Sequence, residues 1–261
     1  PITCNAEDGF HLPAKEVIEK AINSKTRGIL LSNPSNPTGV VYTKEEILML
    51  SELAKEYGLF IISDEVYREF VYDGLEYTSF GNVEGVQDRV IIIDSVSKRY
   101  SACGARIGSI ATKNKELIKQ ILKLCQGRLC VPTLEQIGAI ELYKTDESYL
   151  KLINKEYKKR RDLVYNALSN MPGVICKKPT GAFYVVAKLP VDDAEKFAIW
   201  LLKDFEVDGN TVMLTPAESF YATSGLGINE ARVAYILNEK DLTKSMQILE
   251  KGLKEYPNRI V

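Results

Sequence analysis

Histidine is almost missing from this sequence, with His11 the single copy in 261 residues. That excludes histidine-rich metal centres and argues against a Ser-His-Asp triad. Acid–base chemistry must therefore rest on Lys, Tyr, Asp, Glu or Cys. His11 itself, beside the turn-like "HLP", reads as a surface residue. Cysteine is sparse too. Cys4, Cys103, Cys125, Cys130 and Cys176 are odd in number and scattered, with no C-x-x-C spacing. A disulfide framework is not expected, and a reducing, cytoplasmic setting is. Cys125 and Cys130 have no further metal-ligating partners nearby, so no metal site is expected. Excess charge is also absent: 34 basic against 35 acidic residues leave a net charge of −1. Nothing here calls for nucleic acid or an anionic membrane as a partner. No apolar run approaches a membrane span, and neither internal repeats nor a signal-peptide pattern occur. The first residue is Pro1, and "PITCNAEDGF" reads as the interior of something longer, so a processed or truncated N-terminus is expected.

What is present is ordinary for a globular chain, with 45% apolar and 26% charged residues. The length suits two modest domains or one large one. Strands and helices alternate in the first half. "RGILLS" (27–32), "LFIIS" (59–63), "RVIIID" (89–94) and "RIGSIAT" (106–112) are short apolar runs that read as buried strands. Between the first two, residues 43–58 form an amphipathic helix. Thr43 and Glu46 stand at capping-box spacing, Ile47, Leu50, Ala54 and Tyr57 share a stripe, and Gly58 ends it. Strands apolar along their whole length suit a mostly parallel sheet sandwiched by helices. Residues 113–169 read mainly as helix. The charged stretch 148–169 is suited to joining two domains, its "KEYKKRRD" run being a solvated face. The remainder reads as a smaller α+β unit, ending in a helix (241–256) whose Leu242, Met246, Leu249 and Leu253 share a core face. The division expected is residues 1–150 and 151–261.

Ligands in open α/β sheets bind beyond the carboxyl ends of parallel strands. Three such ends carry polar cargo here. The first strand runs into "SNPSNPTG", the second into "SDEVY", and the third into "DSVSK", with Arg106 eight residues beyond the lysine. Each has an ordinary reading: Asn-Pro with Thr-Gly is a turn, acids after a strand suit a helix N-terminus, and Ser-Lys pairs are common. Together the ordinary readings require three coincidences. The set matches the needs of pyridoxal 5′-phosphate (PLP): a lysine for a Schiff base, an acid against the pyridinium nitrogen, donors for the phenolate oxygen, and hydroxyls with an arginine for the phosphate.

The segments "NPSNPTG", "SDEVY", "SVSKRYSACGARIG", "PTGAFYVV" and "ARVAYIL" resemble, in order, the signatures of class I, fold-type I, PLP-dependent aminotransferases related to aspartate aminotransferase. The resemblance implies that Lys98 holds PLP and shuttles the substrate proton, and that Asp64 pairs with the pyridinium N–H. It gives Tyr67 and Asn36 to the phenolate oxygen, Ser95 and Arg106 with Ser97 to the phosphate, and Arg232, with Asn36, to the substrate carboxylate. It implies exchange of an amino group between an amino acid and a 2-oxo acid, and a homodimer in the full-length protein. The family's phosphate-binding loop, ring-stacking aromatic and subunit-bridging tyrosine precede its Asn-Pro-Thr-Gly element. They have no counterpart in these residues, so sheet edges and apolar surface are expected to be exposed. Ala105 stands where many relatives have a bulky aromatic. Two alternatives stay open: another PLP enzyme of the same fold (lyase, decarboxylase or synthase) and a non-catalytic aminotransferase-like sensor domain.

Overall fold

The structure, a computed structural model, describes residues 1–260. The chain divides into two compact units. The first comprises Ala14–Ser35 and Val41–Asn154; the second comprises Pro1–Pro13, Asn36–Val40 and the chain from Lys155 onward. The sequence alone places the division at 150/151, in one cut. The contacts put it inside a long helix and assign two early segments to the C-terminal unit. Gly39 shows why Asn36–Val40 goes there: its carbonyl accepts from the N–H groups of Thr180 (2.9 Å) and Gly181 (2.8 Å). A Cβ at Gly39 would press on the Tyr184 carbonyl and lie 2.7 Å from Pro179 Cβ, and φ is +75° there. Only glycine meets both demands.

In the first unit, helix α1 (Lys15–Ala21) precedes strand β1 (Gly28–Ser32), and helix α2 (Lys44–Glu56) crosses to β2 (Phe60–Asp64). Strand β3 (Val90–Ser95) runs directly into a four-residue helix, α3 (Val96–Arg99), and β4 (Gly108–Ala111) follows. The sheet order is β1-β2-β3-β4, parallel for the first two pairings and antiparallel for the last. Helices α4 (Lys115–Arg128), α5 (Thr133–Leu142) and α6 (Glu147–Asn170) complete the predicted helical stretch, and the boundary between the units lies within α6. The capping box at Thr43 forms, with Glu46 N–H on Thr43 Oγ1 at 3.2 Å and Thr43 N–H on Glu46 Oε2 at 2.7 Å. Ile47, Leu50, Leu53 and Ala54 bury the inner face of α2, each larger side chain contributing about 1.5–3 kcal/mol.

The second unit holds β5 (Tyr184–Lys188), α7 (Ala194–Lys203), β6 (Thr215–Pro216), β7 (Glu230–Ala234) and α8 (Glu239–Glu255). Its antiparallel sheet has the order β5-β7-β6. The predicted stripe Leu242, Met246, Leu249 and Leu253 is buried.

Four local expectations need correction. The first-unit strands are not buried throughout. β2 alternates between buried and half-buried residues, β4 is exposed at every position, and Leu30 in β1 is 75% exposed. Alternate side chains face opposite sides of a sheet, and here one side is incompletely covered. Tyr57 leaves the α2 stripe and donates from its hydroxyl to Glu19 Oε1, while Leu53 takes its place in the core. Arg106 lies before β4 rather than in it. The charged run on α6 is not wholly solvated, because Arg161 has no exposed surface and donates to the Pro179 carbonyl. Among the described residues no helix is long and apolar enough to cross a membrane, and no group of three or more His, Cys, Asp or Glu could hold a metal ion.

Candidate active site

Six of the singled-out residues belong to the first unit: five at or just beyond the carboxyl ends of two adjacent parallel strands, and Arg106 in the turn before β4. Asp64 is the last residue of β2 and lies level with Ile93 on β3. Its backbone is pinned by hydrogen bonds, with Asn33 N–H on the Asp64 carbonyl at 2.9 Å and Glu65 N–H on the Ile93 carbonyl at 2.9 Å. The Asp64 carboxylate accepts the Val66 N–H at 3.2 Å. Burial raises its pKa above the usual carboxylate value; the Val66 N–H opposes that rise, the Asp94 charge adds to it, and Lys98 opposes it. Tyr67, three residues on, is buried against Phe70 edge-to-face.

Strand β3 delivers the remaining groups. Ser95 is its last residue and the N-cap of α3, its hydroxyl accepting the Ser97 N–H at 3.3 Å. One helical turn then presents Lys98, whose Nζ lies 5.7 Å from the centre of the Tyr67 ring, a cation–π distance. Arg106 adopts the left-handed conformation (φ 56°, ψ 34°) and donates from Nη1 to the Cys103 carbonyl at 3.0 Å. A non-glycine residue there is uncommon, and such outliers concentrate where a side chain must be aimed. Ser95, Ser97 and Arg106 line one cleft of ≈ 580 Å³, with Asp94 at its edge and Ile118, Ile121 and Leu122 on its apolar side. Two hydroxyls and a guanidinium facing one space can bind a multiply charged anion.

Asn36 and Arg232 belong to the second unit, far apart in sequence and bonded directly: Arg232 Nη1 donates to Asn36 Oδ1 at 2.9 Å. Arg232 projects from β7, with its guanidinium carbon 4.8 Å from the Tyr184 ring centre and 5.3 Å from that of Phe220. Nη2 reaches Thr215 Oγ1 at 3.4 Å, while Nε is buried without a hydrogen-bond partner. A guanidinium held between two rings with a donor unused can take a carboxylate.

Sequence reasoning missed the supports of these residues. Tyr184 and Phe220 flank Arg232, and Glu65 is buried with its Oε1 accepting from Ser63 (3.1 Å) and Ser79 (2.9 Å). Asp94, next to Ser95, binds Arg68 and Arg99. An acid ending an all-apolar strand was the available signal for Asp94; its partners carry no signal at all.

Known proteins resemble the chain along nearly its whole length. "Aromatic-amino-acid aminotransferase 2" of Thermococcus litoralis is 30% identical over 253 residues, spanning 95% of this chain and 62% of that relative. The "Probable aspartate aminotransferase" of Methanocaldococcus jannaschii is 35% identical over 252 residues, spanning 94% and 63%. Among solved structures, the aromatic aminotransferase of Pyrococcus horikoshii superposes with a TM-score of 0.86 at 28% identity, covering 97% of this chain and 66% of that one. The chain thus spans less than two thirds of the length of these proteins. The family model "Aminotransferase class I and II" matches residues 1–246, and the chain belongs to that family.

Proposed function

We propose that the protein is a PLP-dependent aminotransferase that moves an amino group between an amino acid and a 2-oxo acid, as a cytoplasmic homodimer. One observation carries the reading: Ser95, Ser97 and Arg106 share one cleft, and Lys98 stands on the same short helix, above Tyr67. Class I aminotransferases of this kind use PLP. When bound, PLP supplies an electron sink for the electrons of the substrate Cα–H bond.

The donor set fits that cofactor. Asp64 is a carboxyl whose burial favours the neutral form; a pyridinium N–H is the partner that returns it to the anion. Ser95, Ser97 and Arg106 would take the phosphate, and Tyr67 and the Asn36 amide would donate to the phenolate oxygen. Lys98 would hold the cofactor covalently; its amine, once released, would carry the proton to and from the substrate Cα. Arg232 would grip the substrate carboxylate, with the Asn36 contact fixing the plane of its fork. The unit of Ala14–Ser35 and Val41–Asn154 would supply part of the cofactor-binding domain, and the other unit the smaller domain.

Borohydride reduction with PLP followed by peptide mapping should place the label on Lys98. No label, or a label on another lysine, overturns the assignment. With an amino acid and 2-oxoglutarate, amino-group exchange is expected; loss of CO₂ or of a β-substituent would instead indicate a different PLP reaction on this fold.

A further inference from the structure

Behind the lysine-bearing helix, four charged side chains meet. Asp94, 8% exposed, accepts on Oδ2 from Arg68 Nη2 at 2.8 Å and from Arg99 Nη2 at 2.9 Å. Its Oδ1 takes the Ser95 N–H at 2.8 Å. Arg99, 6% exposed, also sets Nε 3.2 Å from Glu69 Oε1, an ion-pair contact without hydrogen-bond geometry, and Arg68 Nε lies 3.6 Å from the same oxygen. The group pairs two cations with two anions. Its members come from three places: the end of β3, helix α3, and the segment that follows Asp64 and Tyr67.

Stability alone is a poor reason for such a network. Burying charges costs desolvation, and apolar residues of equal volume often serve as well or better. Its location suggests another role. Arg99 directly follows Lys98 in a helix of four residues, too short to hold its own orientation. Tyr100 anchors the far side through ring contacts with Tyr143 and Tyr149. Asn154 Nδ2 ties down the other partner by donating to the Glu69 and Val71 carbonyls at 2.8 and 2.9 Å. Asp94 is also a charge that works against ionisation of Asp64, so the two arginines have a second task in neutralising it.

We propose that Arg99 is a positioning residue for the cofactor site: held on Asp94 at the end of β3 and beside Glu69, it masks, with Arg68, the Asp94 charge from Asp64. This rests on the assignment of PLP to Lys98 and Asp64. Arg99→Gln leaves Asp94 half-neutralised, so Asp64 binds a pyridinium less well. Arg99→Lys keeps the charge and loses the fork.

The test is a PLP-binding titration of the protein and its variants, read by cofactor fluorescence, with borohydride trapping on Lys98 as a parallel readout. Arg99→Gln is expected to weaken PLP binding about tenfold. The double variant Asp94→Asn/Arg99→Gln, which leaves no unpaired charge, should recover binding to within about twofold of the parent. In an Asp64→Asn background, adding Arg99→Gln should change affinity by less than about twofold. A double variant as weak as Arg99→Gln, or a full further loss without Asp64, overturns the proposal. So does an Arg99→Gln variant that binds PLP like the parent while the parent still traps it on Lys98. A parent that traps nothing on Lys98 removes this inference together with the functional reading. If Arg99→Gln alone does not fold, the double variant decides the matter: binding within about twofold of the parent supports the proposal, and a loss of about tenfold or more overturns it.

Discussion

Glu65 directly follows the proposed pyridinium partner Asp64 and has no exposed surface. Burial raises its pKa above 4.5, and hydrogen bonds from neighbours including Ser79 and Ser63 only partly oppose that. The folded chain therefore keeps a proton there that the unfolded chain has released. Its stabilising share is complete below the unfolded value, about pH 4.5, and is lost as pH rises through the interval up to the folded value. Glu65→Gln stays neutral while still offering Ser63 and Ser79 an acceptor. Melting temperatures of parent and variant from pH 4 to 8 should diverge in that interval, with the parent losing up to about 1.4 kcal/mol per pH unit relative to the variant. Parallel curves would show that Glu65 ionises normally in the folded chain. At this scale the sequence identified the polar groups at the strand ends but not their neighbours. Asp64 and Lys98 could be singled out from position alone, whereas Arg99 and Glu69 are ordinary surface types until the fold buries or pairs them.

Single elements were the most legible level, because caps and stripes are local. The Thr43/Glu46 box closes as spaced, and the α8 stripe is buried as its period requires. Thr43→Ala removes the acceptor for the Glu46 N–H and should cost about 1 kcal/mol, measured as a shift of the urea midpoint with unchanged slope; an unchanged midpoint would mean that the cap adds nothing to stability. The element-level errors share one origin. β1, β2 and β4 have strand-like sequences, but one side of their sheet is incompletely covered, and what covers a sheet is not written in a strand's own residues. Tyr57 fits the period of α2 but sits at its C-cap, where the chain has already turned away from the core. Arg106 is apolar-flanked like a strand residue and instead takes the left-handed turn before β4.

Across the whole molecule, apolar exposure is concentrated on α4 and α5. Leu122 and Leu124 in α4 and Leu134, Ile137 and Ile140 in α5 are all more than half exposed, Leu134 the most at 80%. Monomers rarely leave so many large apolar side chains of two consecutive helices exposed without a use for them. The 261-residue chain is expected to self-associate through these helices. Replacing Leu134 and Ile137 with Gln should weaken that association by at least about tenfold, since burying each such side chain gains about 1.5–3 kcal/mol. Sedimentation velocity of the two chains provides the check; indistinguishable distributions would exclude α5 as the contact. Exposed strands and apolar faces were among the expectations from the sequence. The composition of the two units did not follow from the sequence.

By itself the sequence determined which chemistry was available: a lysine, acids, hydroxyls and arginines at the ends of recognisable strands, with a single histidine and five scattered cysteines. Those are properties of residue type, spacing and local period. Only the tertiary structure decided which charges meet, that Gly39 must be glycine because the Tyr184 and Pro179 region packs on it, and that Asn36 bonds Arg232 across 196 positions of sequence. Such contacts join segments distant along the chain, and a residue's own sequence neighbourhood carries no record of which distant segment will cover it.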